Sequence, residues 1–117
     1  MLERMTGSKP LVWLHGEVKT PPFSRAARIE AGFLLRRLQS GELIEMPLSR
    51  PMRDIGAACH ELRVDDGGST FRILYYVATD AIVILEVFQK KSRTTPKRII
   101  DVARKRLRAY HRIVRED

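Results

Sequence analysis

CHELRVDDGGSTFRILYYVATDAIVILEVFQKK (residues 59–91) decides the fold, because most of it alternates with a period of two. His60, Leu62 and Val64 alternate with Glu61 and Arg63, and Phe71, Ile73, Tyr75 and Val77 alternate with Arg72, Leu74 and Tyr76. Such alternation is the mark of a strand with one face on a core. The turn-rich DDGGS and a second turn at 78–81 separate three runs, which predicts an antiparallel meander. If residues 66–69 close the first hairpin, Arg63 lies opposite Arg72. If residues 79–81 close the second, Arg72 lies opposite Phe88. One sheet face then carries Glu61, Arg63, Arg72, Glu86, Phe88 and Lys90. The other carries Leu62, Val64, Phe71, Ile73, Tyr75, Val83, Leu85 and Val87, and is the expected core face. Like charges opposed across strands are unfavourable unless something offsets them, so the first face asks for an explanation. A slip of one residue would turn Phe88 into the core.

Upstream, LVWL (11–14) reads as a first strand, and Pro21 and Pro22 break the chain. Ser24 is placed to cap a helix whose apolar residues are Ala27, Ala31, Leu34, Leu35 and Leu38, with Gly41 as its stop. Residues 46–58 contain Pro47, Pro51 and Gly56 and read as an irregular connection. Downstream, Pro96 favours the first turn of a second helix, with Thr94 or Thr95 as its cap. Ile99, Ala103, Leu107, Tyr110 and Val114 form its apolar stripe; Lys97, Arg104, Lys105, Arg108, Arg112 and Arg115 lie mainly off it. The expected fold class is α+β. It has a small antiparallel sheet, made of the N-terminal strand plus the three-stranded meander, packed with helices and ending in a basic C-terminal helix. Residues 1–9 read as a flexible leader and 10–117 as a single domain.

The totals agree with one domain: 117 residues, 44% apolar and 31% charged, enough for one core. No apolar run approaches the roughly 20 residues that span a bilayer. The first ten residues lack an apolar signal region, and Cys59 is the only cysteine, so a cytoplasmic protein in a reducing compartment is expected. The net charge is +8, which attracts polyanions. Eleven of the 22 Lys and Arg residues fall between Lys90 and Arg115, against the single acid Asp101, so the excess is concentrated in the last quarter.

The chain has no Gly-rich phosphate loop, no metal-like Cys/His spacing and no Ser-centred nucleophile elbow. No metal and no cofactor are expected. His15, His60 and His111 are far apart and read as ordinary surface or packed residues. Cys59 beside His60 invites a nucleophilic pair, but neighbours on a strand point to opposite faces. What remains is Arg63, Arg72, Phe88, Lys90 and Lys91. Arginine offers a planar fork that grips phosphate, and an aromatic among cations can stack on a base. Together they suit single-stranded RNA, with a 2′-hydroxyl held in line with its phosphate and the developing charge stabilised. The proton acceptor stays open among Lys90, Lys91 and Glu86. The competing reading is a strand end kept soluble by its lysines.

These residues resemble the phage-derived branch of the RelE/HigB-like toxins of type II toxin–antitoxin systems. The match runs through Glu61-Leu62-Arg63, Phe71-Arg72-Ile73-Leu74-Tyr75-Tyr76, Phe88-Gln89-Lys90-Lys91, Pro96, Ile99-Ile100 and Ala103-Arg104, about half of the chain. Upstream, a strand containing Trp13, a helix and a Pro-rich connection follow in the same order. The resemblance implies a toxin that inhibits translation: an mRNA interferase, a metal-independent endoribonuclease that in many members cuts mRNA in the ribosomal A site. It implies a cognate antitoxin, commonly a small helix-turn-helix protein, operator DNA bound only through the antitoxin complex, and no membrane partner. By position it assigns catalysis to Arg63, Arg72, Lys90 and Lys91, and RNA binding to Phe88, with Arg93, Lys97, Arg98 and Arg104 in the basic segment beyond. Many related toxins also place a catalytic Tyr or His near the C-terminus, where Tyr110 and His111 lie. Two other classes stand beside this one: a non-catalytic basic RNA- or ribosome-binding module, and a phage-derived accessory protein.

Overall fold

A computed structural model describes residues 8–14, 23–90 and 93–115. The meander is formed by β3 (Cys59–Asp66), β4 (Ser69–Val77) and β5 (Ile82–Lys90), with β1 (Leu11–Trp13) and β2 (Ser49–Pro51) at the two edges. The helices are α1 (Arg25–Gln39) and α2 (Lys97–Arg115). The chain is therefore α+β, with a five-stranded sheet in the order β1-β5-β4-β3-β2. The N-terminal strand joins β5 in parallel, Leu11 pairing with Ile82, so the sheet is mixed rather than antiparallel throughout. The fifth strand lies inside the stretch expected to be irregular: Arg50 pairs with Glu61 between two prolines, at an edge where Pro51 is tolerated.

The register follows the expectation, with Arg63 opposite Arg72 and Arg72 opposite Phe88. The first hairpin is tighter than expected. Asp66 already pairs with Ser69, and Gly67, at φ +60°, supplies the left-handed backbone that a two-residue turn requires. At the second hairpin the ladder shifts: Leu74 pairs with Glu86 but Tyr75 with Ile84, leaving Leu85 as an extra residue in β5. A bulge of this kind exchanges the faces on its far side. Val83 and Leu85, expected on the face of Leu62 and Val64, thus turn to the opposite side.

Each sheet face has its own core. α1 begins at Ser24, whose hydroxyl accepts from the Ala27 N–H at 3.1 Å. It buries Ala27, Ala31, Leu34, Leu35 and Leu38 against Leu62, Val64, Phe71, Ile73, Tyr75, Ile82, Ile84 and Val87. The Ser24 N–H also donates to Asp66 at 2.9 Å, tying the helix start to the first hairpin, and hydrogen bonding from the Ser24 side chain and backbone holds that carboxyl below its ordinary value. On the other face, Ile99, Ala103 and Leu107 of α2 pack on Cys59, Leu74, Val83, Leu85 and Phe88. Phe88, expected to face solvent, is only 8% exposed. The apolar stripe of α2 leaves the core at its end, where Val114 is exposed. Arg106 of α2 reaches the bulge, donating to the Leu85 carbonyl at 2.7 Å and to Glu86 at 3.0 Å.

The supposed leader ends in contact. The Lys9 N–H donates to Gln39 at 2.8 Å and its ammonium to the Ala78 carbonyl at 2.8 Å, while Pro10 accepts from Ile82. Residues 1–7, His15, Pro21, Pro22 and Lys91 lie outside the described residues. Among the described residues no helix is long and apolar enough to cross a membrane.

Candidate functional site

α2 covers only part of its sheet face. The uncovered part carries Glu61 and Arg63 of β3, Arg72 of β4 and Lys90 of β5, which alternation and register bring side by side. Arg50 enters from β2 opposite Glu61, and Arg93 from the segment after β5. These six residues, with Met46 and Pro47, line a cleft of about 190 Å³. Five cations therefore surround one carboxylate.

That carboxylate organises the others. Glu61 is 2% exposed; its Oε1 lies 3.0 Å from Arg50 Nε, 3.2 Å from Arg72 Nε and 3.2 Å from Lys90 Nζ. Its Oε2 accepts from the Thr95 hydroxyl. The same hydroxyl is 3.4 Å from both Arg50 Nη2 and Lys90 Nζ. Thr95, one of the two residues expected to cap α2, thus turns its side chain into this network. Burial by itself raises the Glu61 pKa, but the Thr95 hydrogen bond and the charges of Lys90 and Arg50 outweigh it and hold the group below its ordinary value. The opposed Arg63 and Arg72 are each offset by an acid: Arg72 by Glu61, and Arg63 by Asp65 at 3.0 Å.

Burial dominates at two cations of the network, Lys90 and Arg72. It lowers the pKa of Lys90, whose side chain is 4% exposed; Glu61 opposes the shift, and Arg72 and Arg50 add to it. Arg72 is lowered for the same leading reason. Two buried Arg72 nitrogens, Nε and Nη1, have no hydrogen-bond partner among the described residues. Nε is close to Glu61 without forming a directed bond, so the fork retains donors for an incoming acceptor. The arrangement can take up an oxyanion with several acceptor atoms, and a tetrahedral phosphate fits that description.

The residues expected to act together thus divide. Arg63, Arg72, Lys90 and Arg93 meet in the cleft. Phe88 does not. Packed among Leu85, Ile99 and Ala103, its ring lacks the open face that stacking on a base requires. Lys97 is exposed and pairs with Asp101 at 3.1 Å; Arg104 donates to the Asp54 carbonyl; Arg98 is exposed. None of these three lines the cleft. Glu86 is engaged by Arg106 at the bulge, which removes it from the cleft as a proton acceptor. Tyr110 and His111 gather around Tyr76, with ring centroids 6.3 and 5.1 Å from it. Cys59 and His60 diverge as the strand predicts: Cys59 is buried under α2, which pushes its thiol up to about 11, and His60 stacks on Tyr75 at 5.3 Å. Among the described residues no group of three His, Cys, Asp or Glu is arranged to hold a metal ion.

Arg50, Glu61 and Thr95 complete the site without having been singled out for it. The need for a counter-charge on the cationic face is the signal that could have found Glu61. Nothing local marks Arg50, which is brought in by the pairing of β2. No curated protein matches the chain. Residues 22–108, which contain the whole cleft, match the family model described as Phage derived protein Gp49-like (DUF891). With that match over most of its length, the chain belongs to the Gp49-like phage-derived family, part of the toxin group of toxin–antitoxin systems.

Proposed function

We propose that this protein is the toxin component of a type II toxin–antitoxin system, of the RelE/HigB-like kind, and acts as an mRNA interferase. The observation that carries the reading is the cleft in which Arg50, Arg63, Arg72, Lys90 and Arg93 converge around buried Glu61. A scissile phosphate sits against Arg72 and its neighbours, whose fixed charges stabilise the extra negative charge of the transition state. The 2′-oxygen attacks phosphorus, the bond to the 5′-oxygen breaks, and a proton passes from the first oxygen to the second. Lys90 is the group in the cleft suited to move that proton, since burial lowers its pKa. No metal is needed for this step, because the cations supply the charge. The ribosomal A site is the setting in which mRNA is presented, and a cognate antitoxin neutralises the protein.

Inducible expression tests this. The wild type arrests growth and generates new mRNA ends, and co-expression of the neighbouring small reading frame restores growth. Arg72→Ala relieves the arrest while the cooperative unfolding transition is kept. Unimpaired growth with abundant folded wild-type protein sinks the reading. A second reading, a non-catalytic RNA- or ribosome-binding module, draws on one observation: the cleft carboxylate, Glu61, is already held by Thr95, Arg50 and Lys90. It predicts RNA binding that weakens steeply with salt, without new RNA ends.

A further inference from the structure

The burial of Phe88 leaves the cationic cleft without an aromatic platform for the bases of its substrate, and its surroundings indicate where a base can go instead. Met46 and Pro47 form the apolar wall of the cleft. Met46 also lines a second, larger hollow of about 430 Å³, shared with Leu43, Glu45, Pro51 and His60. The two hollows lie on either side of the edge strand β2. Arg50 and its partner Glu61 face the first, whereas Pro51 and its partner His60 line the second. Met46, 70% exposed, stands between them, and Leu43 is 68% exposed.

We infer that the hollow on the far side of Met46 is a nucleobase subsite for the RNA strand whose phosphate occupies the cationic cleft. This rests on the RNA-cleaving reading and adds the element that chooses the base. Three features favour a base over a phosphate in this hollow. Its walls at Leu43, Met46 and Pro51 are apolar, and a thioether is a soft, polarizable surface for a flat ring. His60, backed by the ring of Tyr75 and pushed by burial toward its neutral form, adds a second flat surface without a charge. Finally, Glu45 is the only Asp, Glu, Lys or Arg lining the hollow among the described residues. It repels the backbone but accepts a hydrogen bond from the exocyclic amine of adenine, cytosine or guanine. Uracil has no such amine. The subsite therefore favours amine-bearing bases, and cleavage is biased to positions next to them.

The test uses the full chain and short single-stranded RNAs made uncleavable by a 2′-deoxy substitution, with binding followed by fluorescence anisotropy at low salt. An oligomer with adenine or cytosine at the subsite position is compared with one carrying uracil and one that is abasic there. The wild type is expected to bind the amine-bearing oligomer at least about fivefold more tightly than the abasic one, the low end for a stacked base. Met46→Gly collapses that ratio, and Glu45→Gln narrows the preference over uracil. Both positions are exposed, so the fold tolerates the changes. Equal affinity of the wild type for all three oligomers overturns the subsite and leaves the cleft intact. So does a ratio unchanged by Met46→Gly. If none of the three oligomers binds, or if binding is indifferent to Arg72→Ala, the cleft reading is overturned and the subsite with it.

Discussion

Lys90 and Lys97 stand seven positions apart, yet their side chains are 4% and 87% exposed. Lys90 belongs to a network held by one buried carboxylate. Lys97 belongs to the solvated face of α2 and meets Asp101, one turn further along. The basic helix contributes much of the net charge, and it can raise the local concentration of a polyanion from any direction. The cleft has fewer cations but fixes their positions, and only fixed charge discriminates between a ground state and a transition state. Total charge and organised charge are therefore separate properties of this molecule, carried by adjacent segments.

The largest effect that would break this contrast is removal of the organiser. Glu61→Ala leaves Lys90 and Arg72 buried beside each other without their counter-charge, and a loss on the order of 3–5 kcal/mol is expected from the midpoint of urea unfolding. A change within experimental error would mean that the cations do not depend on Glu61. A smaller, graded effect comes from acid. The folded pKa of Glu61 lies below its ordinary value of 4.5, so the unfolded chain takes up a proton first as pH falls. Its contribution is complete above the ordinary value and disappears as pH drops through the depressed one. The stability gap between wild type and Glu61→Gln should accordingly shrink in that acid range and stay constant near neutrality. A gap that widens on acidification would reverse the assigned direction. The smallest effect belongs to the helix. Lys97→Ala should change stability by less than about 0.5 kcal/mol. It should lower the salt slope of RNA binding by no more than about one phosphate contact, without altering where RNA is cut. A shifted cleavage pattern would extend the site onto α2.

Much of the fold was legible because turn chemistry and alternation act locally. DDGGS and the strands on either side of it were enough to oppose Arg63 to Arg72, and the second turn, taken at residues 79–81, opposed Arg72 to Phe88. The bulge at Leu85 was not legible. In IVILEV apolar residues occupy both parities, so one extra residue breaks no pattern. The exposure of Phe88 was misjudged for a related reason. Leu74, Val83 and Leu85 share its face and form a second apolar floor, but the floor becomes visible only once the bulge is known and α2 is laid over it. Part of the site was legible as a cluster of cations that asked for an explanation, with Glu61 placed on the same face but given no role. Arg50 was hidden because a Pro-bounded stretch gives no sign that it will pair with β3.

The parallel pairing of β1 with β5 and the reach of Thr95 to Glu61 also set an order of events. A chain emerging from the ribosome carries Leu11 to Trp13 long before their partners Ile82 to Ile84 exist. Arg50, Glu61, Arg72, Lys90, Arg93 and Thr95 are spread across the middle and later parts of the sequence. Nascent chains that stop just short of Thr95 hold all five cations of the cleft but lack the hydroxyl that donates to Glu61. The cleft comes into being late in synthesis, when the last third of the chain closes over the rest.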